Sequence, residues 1–232
     1  MTPQPPIPQK IQGENGRQYA YRVLYNGIMT LDFPPGMVLV DAELSQALCI
    51  SRTPIREAIV SLVESKLVDV YPQRLSCVSR IDLDAVEEGV FLRYHTERAI
   101  FHEAIVKAEG KHLAMMRENL DLQKAALENG DSDRYMELDN AFHKLLYLAA
   151  GKPWTWATVM HIVTHHDRVR RLQVRLGTEQ LWPTHEEHQK LFHAIMTRSG
   201  ADMDDFLHSH LTAGYRNALP ELMQRYPDYF SI

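Results

Sequence analysis

Along most of the chain apolar residues recur at three- and four-residue steps, the spacing of an amphipathic helix. From Arg17 to Leu31 the apolar positions are Tyr19, Val23, Leu24, Ile28 and Met29. The helix they predict stops at Asp32-Phe33-Pro34-Pro35-Gly36, because consecutive prolines cannot continue a helix and glycine suits a turn. Two short helices follow, over Ala42–Leu48 and after Ser51, with Asp41 and Ser51 as expected N-caps and Pro54 tolerated in the first turn. Ile55, Ala58, Ile59, Leu62 and Val63 share one side of the second. Only then does the pattern alternate, in Leu67–Tyr71 and Ser76–Arg80, with Pro72-Gln73-Arg74-Leu75 between them. Two short helices on a tight turn, then a hairpin, predict a winged helix-turn-helix.

After Arg80 the helical spacing resumes and persists. A helix capped by Asp82 is expected from about Leu83 to Lys107, ended by Gly110. Further helices are expected over Lys111–Glu128, Ser132–Ala150 (capped by Asp131), Pro153–Val174, Pro183–Arg198 and Ala201–Arg225. Gly177–Trp182 reads as loop, and Pro220 is expected to kink or end the last helix. The fold class is therefore mainly α: an N-terminal winged helix-turn-helix with a small β-hairpin, and a C-terminal all-α six-helix bundle. The domain plan is a disordered, Pro- and Gln-rich lead-in over residues 1–14, a winged helix-turn-helix domain over 15–80, and an all-α domain over 81–232.

Composition changes this picture little. With 45% hydrophobic and 24% charged residues the chain is ordinary for a soluble globular protein. No apolar run approaches the ~20 residues of a membrane span, and residues 1–10 lack a signal-peptide core, so a cytoplasmic location without membrane contact is expected. Two cysteines supply no disulfide framework and no metal spacing. Charge matters more. Residues 1–80 carry 8 Lys and Arg against 7 Asp and Glu, and the remainder 17 against 23, for a net −5. Any nucleic-acid surface must therefore be local.

Polar residues inside the apolar stripes carry the candidate chemistry. Asp139 and His143 lie four apart on one helical face, which Leu146 and Ala150 continue inward. Alone, such a pair is as well explained by an Asp–His hydrogen bond as by a ligand site. His188 shares its stripe with Leu191, Phe192 and Ile195, and His210 shares its own with Phe206, Ala213 and Gly214. Asp139, His143, His188 and His210 then form one inward set of a carboxylate and three imidazoles from three helices. That set suits zinc, with nickel, manganese or iron as alternatives, and leaves positions open for water or a ligand oxygen. His185, His193 and His208 fall off these stripes and read as surface or rim groups, and His165 and His166 read as a polar helix face. Arg93 and Glu97 fall inside the stripe of the long helix. They are either an intrahelical ion pair or, beside a cavity, an effector-binding group in which Arg93 clamps a carboxylate.

Residues 17–80 resemble the DNA-binding domain of the GntR family in Pro34-Pro35-Gly36, Glu43-Leu44-Ser45 and Ser51-Arg52-Thr53-Pro54-Ile55-Arg56-Glu57-Ala58. The resemblance places the second short helix in the major groove, where Arg52 and Arg56 would read guanines while Ser51 and Thr53 meet phosphates. Arg74 would act from the wing. Three departures stand out: Cys49 where the turn usually has glycine, Leu75 after Arg74 where the wing usually has glycine, and Ala42 where some relatives place an arginine. The second half is similar to the FadR subfamily and its FCD-type effector domain in Asp139-x-x-Phe142-His143, Ala149-Ala150-Gly151-Lys152-Pro153, Glu187-His188 and His210-Leu211, so that the likeness spans about residues 17–218. It implies that a metal helps hold a small organic acid and that the first bundle helix supplies an arginine, here Arg93.

The function expected is a ligand-responsive regulator, a repressor, acting as a homodimer on a palindromic double-stranded operator and responding to a small carboxylate. Two alternatives use the same residues: a metal-dependent, hydrolase-like enzyme, against which no His-Glu-x-x-His spacing is found, or a regulator whose metal is purely structural.

Overall fold

The computed structural model describes residues 8–71, 75–200 and 203–231. These fall into two compact units, Met1–Leu83 with Met223–Ile232, and Asp84–Leu222.

In the first unit α1 (Gly16–Met29) begins with a capping box between Asn15 and Gln18. It packs on α3 (Arg52–Glu64) through Leu24 and Ile28 against Ile55, Ala58 and Leu62. Gly27 is required there, since a Cβ would meet the Phe33 ring at 2.6 Å. The helix-turn-helix is completed by α2 (Asp41–Leu48). Asp41 is the first residue of α2 rather than its cap; Val40 stands at the cap position. Ser51 does stand at the N-cap of α3, though its side chain makes no cap hydrogen bond. Cys49 closes α2 in the left-handed region at φ 53°, the angle glycine adopts without strain. The hairpin strands are β2 (Val68–Tyr71) and β3 (Leu75–Val78). A strand too short for alternation to reveal, β1 (Val38–Leu39), adds to β3, giving an antiparallel sheet of order β1-β3-β2. Of the expected lead-in, residues 8–14 are tied to α1: the Tyr19 hydroxyl donates to Pro8 O, and Arg22 pairs with Glu14. The chain's end also joins this unit, with Phe230 bridging to Ile81.

The second unit is all α, as expected, with one predicted helix split. It comprises α4 (Leu83–Lys107), α5 (Gly110–Glu128), α6 (Ser132–Ala149), α7 (Pro153–Ile162), α8 (Thr164–Val174), α9 (Trp182–Met196) and α10 (Met203–Arg225). The helix expected over Pro153–Val174 breaks at Val163, whose ψ is 23°. Ile162, Val163 and Thr164 are three β-branched residues in a row, which weakens the helix there. The break turns Thr164-His165-His166-Asp167-Arg168 into the interior. Gly177–Trp182 holds a short 3-10 turn, Thr178–Leu181. Pro220 does not end α10, which continues to Arg225. Gly151, at φ 71°, closes α6 in a glycine-favouring conformation. The core is formed by Phe101, Phe142, Leu146, Tyr147 and Leu191, all essentially inaccessible, and the polar cluster sits beside it.

Candidate metal centre and nucleic-acid interface

Phe142 on α6 packs its ring against the His188 ring of α9 at 4.5 Å, so the core stacking that builds the bundle also sets the histidines. His143, His188 and His210, from α6, α9 and α10, offer ring nitrogens within 4.8 Å of one another. Each Nδ1 donates to a fixed acceptor. His143 donates to Glu97 Oε2 at 2.7 Å, His188 to Gln123 Oε1 at 2.9 Å, and His210 to Glu187 Oε2 at 2.7 Å. Since carboxylate and amide oxygens only accept, all three Nε2 lone pairs are left free. His143 Nε2 and His210 Nε2 face each other at 3.3 Å, and buried His188 Nε2 has no partner. Converging lone pairs repel unless a cation lies among them. The 3.3 Å gap also suits two nitrogens ~2.0–2.1 Å from one ion at a tetrahedral angle. These residues fit a divalent metal, with Glu97, Gln123 and Glu187 as the groups that orient the ligands.

Asp139 is drawn into the same cluster. Its Oδ1 lies 3.6 Å from His188 Nε2 and its Oδ2 4.0 Å from His143 Nε2. Oδ2 also accepts from Arg170 of α8, which reaches Asp167 and Asn140 as well. Burial pushes the Asp139 carboxyl up, but Arg170, His188 and His143 outweigh it and hold it far below the usual carboxylate range. Burial likewise opposes ionisation of Glu97, yet Arg93 and His143 bring it down to about 2. Burial pushes His143 and His188 below the usual imidazole value of 6.5, which keeps them neutral and able to bind a cation.

Arg93 and Glu97 are both buried and joined, Arg93 Nε donating to Glu97 Oε1 at 2.6 Å. The pair is intrahelical, and Arg93 also lines a cavity of about 60 Å³ together with Asp139, His143, His210 and Arg170. Arg93 Nη2 has no partner in the protein.

The structure corrects three of the secondary assignments. His165, His166 and His185 are interior residues: burial of the first two follows from the helix break at Val163, and His185 lies 3.3 Å from the oxygen of Gln123. Hydrophobic periodicity alone does not single out Gln123 and Arg170. A polar Asn119–Gln123 pair at i, i+4 between apolar Met116, Leu120 and Leu127 was the available signal for the first, and Asp167–Arg170 at i, i+3 for the second.

In the first unit Arg52 and Thr53 are exposed at the start of α3, beside exposed Ser51. Arg56 is exposed and its Nε donates to Asp41 Oδ2 at 2.6 Å. Its charge partner is thus on α2. Arg74 lies outside the described residues.

A winged helix-turn-helix whose arginine-bearing helix start is exposed, joined in one chain to a helical domain with a buried ligand set, defines a DNA-binding regulator with a sensory domain. Comparison with known proteins agrees. Residues 17–77 match the family described as bacterial regulatory proteins, gntR family, and residues 89–213 match the FCD domain. The chain is 30% identical to the HTH-type transcriptional repressor RspR of Escherichia coli K12, over 92% of this chain and 93% of the relative. It is 31% identical to an uncharacterized HTH-type transcriptional regulator in an unstable DNA locus of Streptomyces ambofaciens, over 79% and 76%. The solved structure of E. coli McbR/YncC shares the fold, with a TM-score of 0.74, 19% identity, and coverage of 92% of this chain and 99% of that one. The chain belongs to the GntR family and carries an FCD domain, in accord with the FadR-subfamily resemblance. It is a DNA-binding transcription regulator and not an enzyme, which removes the hydrolase alternative. No helix among the described residues is long and apolar enough to cross a membrane.

Proposed function

We propose that the chain is a cytoplasmic repressor that binds a palindromic double-stranded operator as a homodimer, through Ser51, Arg52, Thr53, Arg56 and the wing-tip Arg74. Its bundle holds a divalent metal on His143, His188, His210 and Asp139, and a small carboxylate effector on Arg93 beside Glu97. Zinc matches a set of three imidazoles and a carboxylate best; nickel, manganese and iron also accept imidazole. The observation that carries this reading is the convergence of three free Nε2 atoms from three helices, each histidine oriented through its Nδ1.

When bound, the metal supplies positive charge and open positions for a ligand oxygen. The chain's own residues do the rest. Glu97 binds Arg93 with one oxygen and His143 with the other, so a single carboxylate sets both the effector clamp and a metal ligand. Arg93, whose Nη2 has no partner in the protein, lines the cavity, where a carboxylate would meet it through a charge-assisted hydrogen bond. Asp139, tied to Arg170, adds a negative charge to the lining of the same cavity. The helix bearing Arg93 and Glu97 follows β3 in the chain after a short link, and the effector alters operator affinity by the difference in its affinity for two arrangements of that helix. The name of the repressor relative supports the direction of control. The test is a thermal-shift series with short organic acids on metal-loaded protein. At saturating acid the melting temperature rises in the wild type and not in Arg93→Ala; an equal rise in both would refute Arg93 as the clamp.

A further inference from the structure

The helix α7 is apolar on both sides. Between Lys152 and Asp167 the sequence has no Asp, Glu, Lys or Arg, the longest such run in the chain. One side of α7 is accounted for by the core: Trp156 and Val159 are buried, and the Trp156 ring meets that of Tyr147 at 5.3 Å. The other side is not. Trp154, Ala157, Thr158, His161 and Ile162 are all exposed, at i, i+3, i+4, i+7 and i+8, the spacing of a single helical stripe. Trp154, at 87%, is the most exposed large apolar residue among those described, and Ile162 is half exposed. The Thr158 hydroxyl donates to the Trp154 carbonyl, so it adds little polarity to the face. A surface helix normally carries charge on its outer side; one that is apolar all round has that side covered, and interface centres are where charged residues are depleted.

Two features of the stripe say what covers it. The first is charge. Residues 81–232 carry 17 Lys and Arg against 23 Asp and Glu, so two copies of this domain repel over most of their surface. A charge-free face is where they can meet without that repulsion. The second is spacing. Trp154 and Ile162 stand four residues on either side of Thr158, with small Ala157 beside it. Laid antiparallel across a two-fold axis at Thr158, two such helices bring each Trp154 against Ile162 of the second copy, while Ala157 and Thr158 let the backbones approach. A two-fold contact needs a patch that complements itself, and this spacing provides one. Tryptophans that bury ~150–250 Å² each are also the side chains that anchor such interfaces. We propose that the outer stripe of α7 is the centre of the interface through which two copies of this chain pair, antiparallel about Thr158. The inference rests on the homodimer reading above and adds its surface and register.

Analytical ultracentrifugation of the full chain tests it, on the wild type, Trp154→Glu, Ile162→Lys and the double variant. Both substitutions fall on exposed residues, and circular dichroism checks that helical content is kept. The wild type sediments as two chains. Either single variant sets an unpaired charge against an apolar group twice over, which raises the dissociation constant by at least about thirtyfold. It then sediments as one chain where the wild type is paired. In the double variant each introduced carboxylate faces the introduced ammonium of the other copy, and pairing returns. A wild type that sediments as one chain at every concentration overturns the homodimer reading and this inference with it. A wild-type dimer that either single variant keeps leaves the homodimer reading intact and removes α7 from its centre. Single variants that dissociate without recovery in the double variant overturn the antiparallel register.

Discussion

Single residues in this chain depart from the most comfortable choice where geometry demands something specific. Cys49 sits at φ 53° in the helix-turn-helix, a conformation that costs a side-chain-bearing residue about 1–2 kcal/mol. Glycine would remove that strain and give back about 0.5–1 kcal/mol in backbone freedom of the unfolded chain. Cys49→Gly is therefore expected to raise stability by about 0.5–1 kcal/mol, read as a higher urea midpoint by circular dichroism; no change or a fall would mean the turn is not strained. Glu97 is the converse case. It is fully buried and still ionised, held at about 2 because two cationic or polarisable partners outweigh the burial that opposes them. A carboxylate kept charged at that depth is one that its surroundings are built around.

At the scale of elements, the helices place their polar faces by phase, and that phase was readable wherever a helix ran unbroken. Asp139 and His143 on α6, His188 on α9 and His210 on α10 were placed on inward faces by apolar neighbours three and four residues away, and the structure brings them together. The helix pair α7 and α8 was not legible, because periodicity cannot show that β-branched Ile162-Val163-Thr164 resets the phase; for that reason His166 reads from sequence as a polar-face residue and Arg170 does not stand out. The strand β1 escaped because two residues cannot alternate, and the continuation of α10 past Pro220 because packing on both sides of a proline is a tertiary fact. The histidine-bearing helices also dictate a pH response. Burial holds His143, His166, His185 and His188 below 6.5 when folded, whereas unfolded histidines titrate near it. Below that pH the unfolded state binds more protons, so stability falls as pH drops. In chelator the melting temperature should be level from about pH 8 to 7 and decline from about 6.5 to 5. A level profile throughout would show that these histidines are not buried neutral.

For the whole molecule, net charge argues against a general affinity for nucleic acid, at −5 overall, so specific contacts must carry operator binding. Arg52 and Arg56 are exposed, and Arg56 makes only a solvent-facing ion pair with Asp41. Replacing both by Ala should alter stability by no more than about 0.5 kcal/mol, since exposed pairs contribute little. Binding to an operator selected from a random-sequence library should weaken by tenfold or more, at ~1–3 kcal/mol for each guanine contact. Fluorescence anisotropy measures it, and unchanged specific affinity would remove α3 from the interface. The regulatory role of the bundle rests on the three converging imidazoles. Elemental analysis of the purified full chain tests that most directly. About one divalent ion per chain is expected in the wild type, with most of it lost in His188→Ala while helical content is kept. A wild-type chain that holds no divalent ion, even after incubation with zinc, nickel or manganese followed by desalting, would contradict it.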